Sequence, residues 1–301
     1  MQFEIADLFS FRNAATSPLA WLAVLLLIAY LLGAARLWRN RRGWSVLKSA
    51  SFALGCVLLF LATGSSTTEY ARELVSVLIF QQVTVMVFVP PLLLIGAPGR
   101  LLLRATPHEG VGRVALRAAL GAYRSKLAYA LLNPGVAIVI PIIAFPAFYF
   151  TGGVSWVMSV PGGHEASMLL FLLLGVIGAV PLWSTDPLPR VPSYPARLLN
   201  AFIEMQVHAV FGLVLLIMNT PLFSWYANRS EALGISPIVD QAIGGGVAWA
   251  YGGLPLFIVL IVTLSKWWSR DQRSSRRREE LEEEQLRLHN AALAARYGNQ
   301  R

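Results

Sequence analysis

An all-helical protein that crosses a lipid bilayer seven times is the fold this sequence predicts, and three observations carry the prediction. The first is composition. Of 301 residues, 56% are hydrophobic and only 14% are charged, a greasier mixture than a water-facing surface sustains. The second is the recurrence of apolar stretches close to the roughly 20 residues that a helix needs to cross a core about 30 Å thick. The third is an unequal sharing of Lys and Arg between alternate loops.

In chain order, the apolar stretches place the spans at Pro18 to Leu37, Leu47 to Gly64, Leu74 to Ala97, Pro134 to Phe150, Ala166 to Trp183, Leu198 to Asn219 and Ala242 to Leu264. The second and fourth are the shortest. Ahead of the first span, Glu4 and Asp7 stand where a cleaved signal peptide would carry basic residues, so the first helix is expected to stay in the protein. The chain divides into an external segment 1–17, a membrane domain 18–265 and a charged helical tail 266–301 in the cytoplasm.

Orientation follows from the basic residues. Arg36, Arg39, Arg41, Arg42 and Lys48 follow the first span, and Arg100, Arg104, Arg113, Arg117, Arg124 and Lys126 follow the third. Arg190 and Arg197 follow the fifth, and nine more lie from Lys266 onward, so 22 of the 25 fall on one side. Only Arg12, Arg72 and Arg229 fall on the other, which predicts an external N-terminus and a cytoplasmic C-terminus. The net charge of +9 is thereby an orientation signal, and no nucleic-acid partner is expected.

Within the loop from Pro98 to Asn133, Arg113, Leu116, Arg117, Leu120 and Arg124 recur at helical intervals. They predict a basic amphipathic helix lying on anionic lipid of the inner leaflet. The tail from Ser274 to Tyr297 runs basic, then acidic, with Glu283 and Arg287 one turn apart, as in a solvated helix. Cys56, the lone cysteine, sits in an apolar run and reads as a small buried hydrophobe. His108 and His289 fall in polar stretches and carry no special role. No nucleophile elbow, phosphate loop, HExxH or CxxC motif occurs, so the protein is not expected to be an enzyme. No internal duplication of the transporter kind is apparent.

Chemistry is therefore sought among polar residues in or beside the spans, which are costly in lipid and tend to face cavities, partners or ligands. The third span holds Gln81, Gln82 and Thr84, followed by Pro90 and Pro91, which predict a bend or break in its inner half. His164 and Met168 lie one turn apart at the start of the fifth span. Imidazole and thioether on one face suit Cu(I), although a His at a helix end also serves as a hydrogen-bonding residue and a Met as filler. The sixth span brings Glu204, Met205 and His208 within one turn near the middle of the bilayer, to make an interhelical hydrogen bond or a functional cluster. Asp240 and Gln241 introduce the seventh span, where Gly244-Gly245-Gly246 would admit another helix backbone.

Several of these segments together resemble the CtaG-like cytochrome c oxidase assembly factors. The run from Gln82 to Pro98, with its Pro90-Pro91-Leu92-Leu93-Leu94-Ile95-Gly96-Ala97-Pro98 core, is similar to that family's third-helix signature. Phe171 to Trp183 follows His164 as its fifth helix does. Ser236-Pro237 leads into Asp240-Gln241, and Gly244-Gly245 with Trp249 resembles the opening of its last helix. The resemblance runs from the second span to the end of the seventh and leaves the tail outside.

It implies a multi-pass protein of the bacterial plasma membrane, needed for maturation of a haem–copper oxidase, with a part in supplying copper. The same resemblance places histidines at the positions of Leu78, Gln82, Ala144 and Met168, and of that outer set only His164 is kept here. A Cu(I) site is then expected on His164 and Met168, with Asp240 or Gln82 beside them, facing the outer parts of the third and seventh helices; a scaffold that binds no metal is equally compatible. The expected partners are oxidase subunits or other assembly factors. A copper-handling transporter or permease, and a structural subunit of a respiratory complex, are the alternatives.

Overall fold

The computed structural model of the chain describes residues 10–11, 14–131, 133–186 and 193–298. The N-terminal segment, Arg12 and Arg190 thus fall wholly or partly outside the described residues. Those described fold into helices and no strand. In order they are α1 (Pro18–Arg39), α2 (Val46–Gly64), α3 (Thr67–Glu73), α4 (Val75–Val83), α5 (Val89–Ile95), α6 (Pro98–Ala105), α7 (Gly110–Tyr123) and α8 (Lys126–Leu131). There follow α9 (Pro134–Phe150), α10 (Gly153–Ser159), α11 (Gly163–Trp183), α12 (Tyr194–Ile217), α13 (Ser224–Ala232), α14 (Pro237–Gly246) and α15 (Gly252–Gly298). A π-helical turn, Thr84–Phe88, joins α4 to α5, and a second, Val247–Tyr251, joins α14 to α15.

Six helical runs are long and apolar enough to cross a membrane: α1, α2, the run from Val75 to Ala105, α11, α12 and the run from Pro237 to Ala291. A seventh candidate is α9 with α10, which are bent by 71° to one another. The helices begin where the sequence supplies a capping oxygen or a proline. Ser17, Ser45, Asn133 and Ser193 accept from backbone amides at the starts of α1, α2, α9 and α12, and Pro18, Pro134 and Pro237 open their helices, where no amide is needed. The third span is the hub. Its most apolar window is 67% buried, more than that of any other span, because α2, α11 and α14 all pack on it.

Pro90 and Pro91 do break the regular helix, and the break lies in the turn before them. An α-helix would bond the amide of residue 90 to the carbonyl of Met86, and proline has no such amide. The backbone takes up the slack as the π turn Thr84–Phe88. The Met86 carbonyl then meets Gly175 of α11 so closely that a Cβ there would stand 2.1 Å from it. The second π turn precedes Pro255 in the same way. The two turns face each other: Thr84 and Tyr251 hydroxyls lie 3.1 Å apart, and Phe88 stacks on Tyr251 at 4.2 Å between centroids.

The glycine run of the seventh span works as its composition suggests. A Cβ on Gly245 would lie 2.6 Å from the Gly212 carbonyl, and one on Gly212 would lie 2.5 Å from that of Gly245, so α12 and α14 touch backbone to backbone. Cys56 is buried among Tyr30, Phe52, Ala97 and Leu101, as expected of a small hydrophobe. At that same end, Asp186 accepts from the amides of Gly99 (2.8 Å) and Arg100 (2.9 Å) and so caps α6 from another part of the chain. The amphipathic stretch after the third span is helical as α7, with Leu116 buried and Arg113 and Arg117 exposed. The tail continues α15 without interruption, and residues 264–291 are all exposed.

Candidate functional site

The expected pair lines the same cavity. His164 and Met168 stand on the first turns of α11, which starts at Gly163 because Gly162 takes a left-handed conformation (φ 73°) that reverses the chain after α10. Both are buried, His164 to 3% exposure and Met168 to 1%. With Leu19, Thr63, Gln81 and Arg72 they line a cavity of about 280 Å³ between α1, α2, α3, α4 and α11. At its rim Arg72 pairs with Glu165 at 2.9 Å.

Gln81 sets the state of the imidazole. Its amide nitrogen donates to the Ala62 carbonyl (2.6 Å) and the Thr68 hydroxyl (3.1 Å), which leaves its oxygen toward His164 Nε2 at 2.8 Å. An amide oxygen only accepts, so Nε2 carries the hydrogen and Nδ1 keeps its lone pair. That Nδ1 is buried without a partner. A histidine held by a polar group through one nitrogen, with the other free, is the arrangement that orients metal-binding imidazoles. Met168, one turn along α11, lines the same cavity with a neutral thioether, a soft ligand type that favours Cu(I), and imidazole is a ligand type that suits copper. Among the described residues no group of three His, Cys, Asp or Glu is placed to hold a metal ion.

The other expected members lie elsewhere. Asp240 does not line this cavity, and neither does any other residue of the seventh span. The Asp240 carboxylate instead accepts from the amides of Val75 (2.7 Å) and Ser76 (3.1 Å) and from the Ser76 hydroxyl. The first turn of α4 has no internal acceptors for its amides, and a buried carboxylate answers both those donors and the positive end of the helix. Gln82, one residue beyond Gln81, points away from the cavity and accepts from the Tyr149 hydroxyl of α9. Leu78, Gln82 and Met168, at positions where the family resemblance leads one to expect histidine, are all buried.

Among the described residues His208 makes no interhelical hydrogen bond. Its Nδ1 bonds to the Glu204 carbonyl of its own helix (2.9 Å), and its ring is held between Phe145 and the backbone at Gly252. Glu204 and His208 share a second cavity, of about 30 Å³, and Met205 packs against the main core instead. Tyr149, Asn200 and the rim pair Arg72–Glu165 were not singled out from the sequence. Asn200 had a readable signal, since it precedes Glu204 and His208 at intervals of four.

The sequence model of the cytochrome c oxidase caa3 assembly factors (Caa3_CtaG) matches residues 28–270, from within α1 to the early tail. The chain belongs to this family. Its curated relatives include uncharacterized proteins Mb0105 of Mycobacterium bovis and MT0111 of Mycobacterium tuberculosis, each 30% identical over 278 residues, with 90% of this chain and 42% of the relative covered. The uncharacterized protein ML1998 of Mycobacterium leprae is 31% identical over 254 residues, covering 83% of this chain and 38% of its own. The chain thus spans about two fifths of the length of these relatives. No solved structure matches it. The family match takes in both π turns, the Asp240 cap, the second cavity and His164, Met168 and Gln81 of the first, while Leu19 of the first cavity and the tail beyond residue 270 lie outside it.

Proposed function

We propose that the protein is a non-enzymatic assembly factor for a haem–copper respiratory oxidase in a bacterial plasma membrane, and that its His164 cavity opens outside and takes up Cu(I). The observation that carries this reading is the family match across residues 28–270. The Cu(I) assignment is supported by the free, buried Nδ1 of His164 beside Met168. The orientation is supported by the 22 basic residues that share one side. In this orientation α6 and α7 lie against the inner leaflet, where anionic lipid attracts their arginines. The partners on the outer side are oxidase subunits or other assembly factors that receive the metal.

Deletion of the protein, followed by assay of haem and copper in the oxidase, tests the reading. Copper-deficient oxidase is expected, with full recovery on return of the wild type and incomplete recovery with His164→Ala. Normal haem and copper in the deletion strain would overturn it, and stoichiometric co-purification with finished oxidase would mark a subunit instead.

A further inference from the structure

Eight buried polar side-chain atoms lack a hydrogen-bond partner among the described residues, and five of them lie on α12: Arg197 Nε, both polar atoms of Asn200, Glu204 Oε1 and His208 Nε2. Their residues are spaced by three, four and four, which puts them on one stripe of the helix. Over eleven residues the stripe climbs about 16 Å, from near the start of α12 to the middle of the bilayer. An unsatisfied polar atom in hydrocarbon costs several kcal/mol, so a whole file of them needs water.

We propose that this stripe lines a blind, water-filled file that opens on the side where α12 begins, and that its inner end, Glu204 with His208, is a site that exchanges protons with that side. The cavity shared by the pair, about 30 Å³, exceeds the roughly 10–15 Å³ that one water requires and leaves no room for a hydrated ion. The Glu204 carbonyl accepts from His208 Nδ1, so the hydrogen of the neutral ring sits there and Nε2 is the basic atom. A water between Nε2 and the carboxyl of Glu204 connects the two as donor and acceptor.

The remaining residues around the cavity, from the third, fourth, fifth and seventh spans, carry no titratable group. Further along the stripe lies Arg197, and at its mouth Arg270 of α15 stands over the Tyr194 ring. The file is closed beyond His208 by Phe145 and Phe211, whose rings are 4.8 Å apart, and by the backbone contact of Gly212 with Gly245. The two π turns flank this end, as they often do at functional sites, and Gly252 lets the seventh span close on the His208 ring.

The test uses the full chain with Cys56→Ala as background and single cysteines at Ser193, Asn200, Glu204, Phe202, Val210 and Phe211. A membrane-impermeant thiol reagent is applied from the side that labels Ser193→Cys. Asn200→Cys and Glu204→Cys are expected to react at least about tenfold faster than the lipid-facing Phe202→Cys and Val210→Cys, since only a hydrated thiol ionises to the reactive thiolate. Phe211→Cys is expected to stay unlabelled. Equal rates at the stripe and lipid-facing positions would overturn the file, and labelling at Phe211→Cys would overturn its blind end. Dicyclohexylcarbodiimide, which attacks protonated carboxyls within membranes, is expected to modify Glu204 in the unsubstituted protein and to leave that peptide unmodified in Glu204→Gln. Absence of the adduct in the unsubstituted protein would overturn the proton site without recourse to any variant.

Discussion

Asp240→Ala separates a capping role from a metal role, and its cost follows from the contacts it removes. The side chain is 1% exposed and its two oxygens serve two buried amides and one hydroxyl. Loss of a capping residue costs up to about 2 kcal/mol, and hydrogen bonds to a charged group contribute about 1.5–3 kcal/mol where the donors are left unpaired. The two figures describe the same contacts and are not added, so the loss is about 2–3 kcal/mol. At about 2 °C per kcal/mol for a chain of this size, the melting temperature should fall by about 4–6 °C. Asp240→Asn keeps one acceptor and should lie between, while Ser76→Ala should cost about 1 kcal/mol. Thermal unfolding in detergent, read by tryptophan fluorescence, gives the shift. Hydrogen exchange at residues 75–78 locates it, because the first turn of α4 loses its acceptors. Copper stoichiometry should not change. A melting temperature within about 1 °C of wild type, or copper lost with unchanged stability, would refute the capping argument.

Three further outcomes are expected. A reporter fused after Arg301 should be cytoplasmic and one near Asn228 external; the reverse accessibility at either site would refute the proposed topology. Under reducing conditions the purified protein should bind Cu(I), less so in His164→Ala and Met168→Leu, while His208→Ala should match wild type, and Met168→Leu should cost less than about 1.5 kcal/mol of stability because it nearly conserves volume. No copper above the His164→Ala level would remove the metal and leave a scaffold. Gly212→Ala and Gly175→Ala should each destabilise by about 1–3 kcal/mol, since the new methyl meets a backbone carbonyl that cannot move aside; wild-type melting of both would show that the helices are free to separate.

The spans were legible because hydropathy is itself the cause that holds a helix in lipid. The ends at Gly64, Phe150 and Trp183 agree with those read from sequence. Local chemistry was legible too: Pro90 and Pro91 signal a lost amide, and Gly244-Gly245 signals a place for another backbone. What the sequence withheld is partnership across the chain. Asp240 reads as an acid near a helix start, and only the fold brings it to Val75, 165 residues away. Gln81 and Gln82 look interchangeable in sequence, yet one rotation of about 100° about the helix sends one to His164 and the other to Tyr149. The π turn before Pro255 was open to the same proline argument as the first.

The same separation bears on the choice between an assembly factor and a copper permease. A permease needs a continuous polar route, and here two polar regions are divided by aromatic rings. His164 and Gln81 lie toward the end of the bundle where α11 begins, with Gln82 held by Tyr149. Beyond that bond, Tyr149 packs on Phe211 at 4.6 Å and Phe145 on His208 at 5.2 Å, so aromatic rings lie between the His164 cavity and the α12 stripe. For the Cu(I) site proposed above, the way out lies on the side where α11 begins, which suits the proposed donor and not a permease.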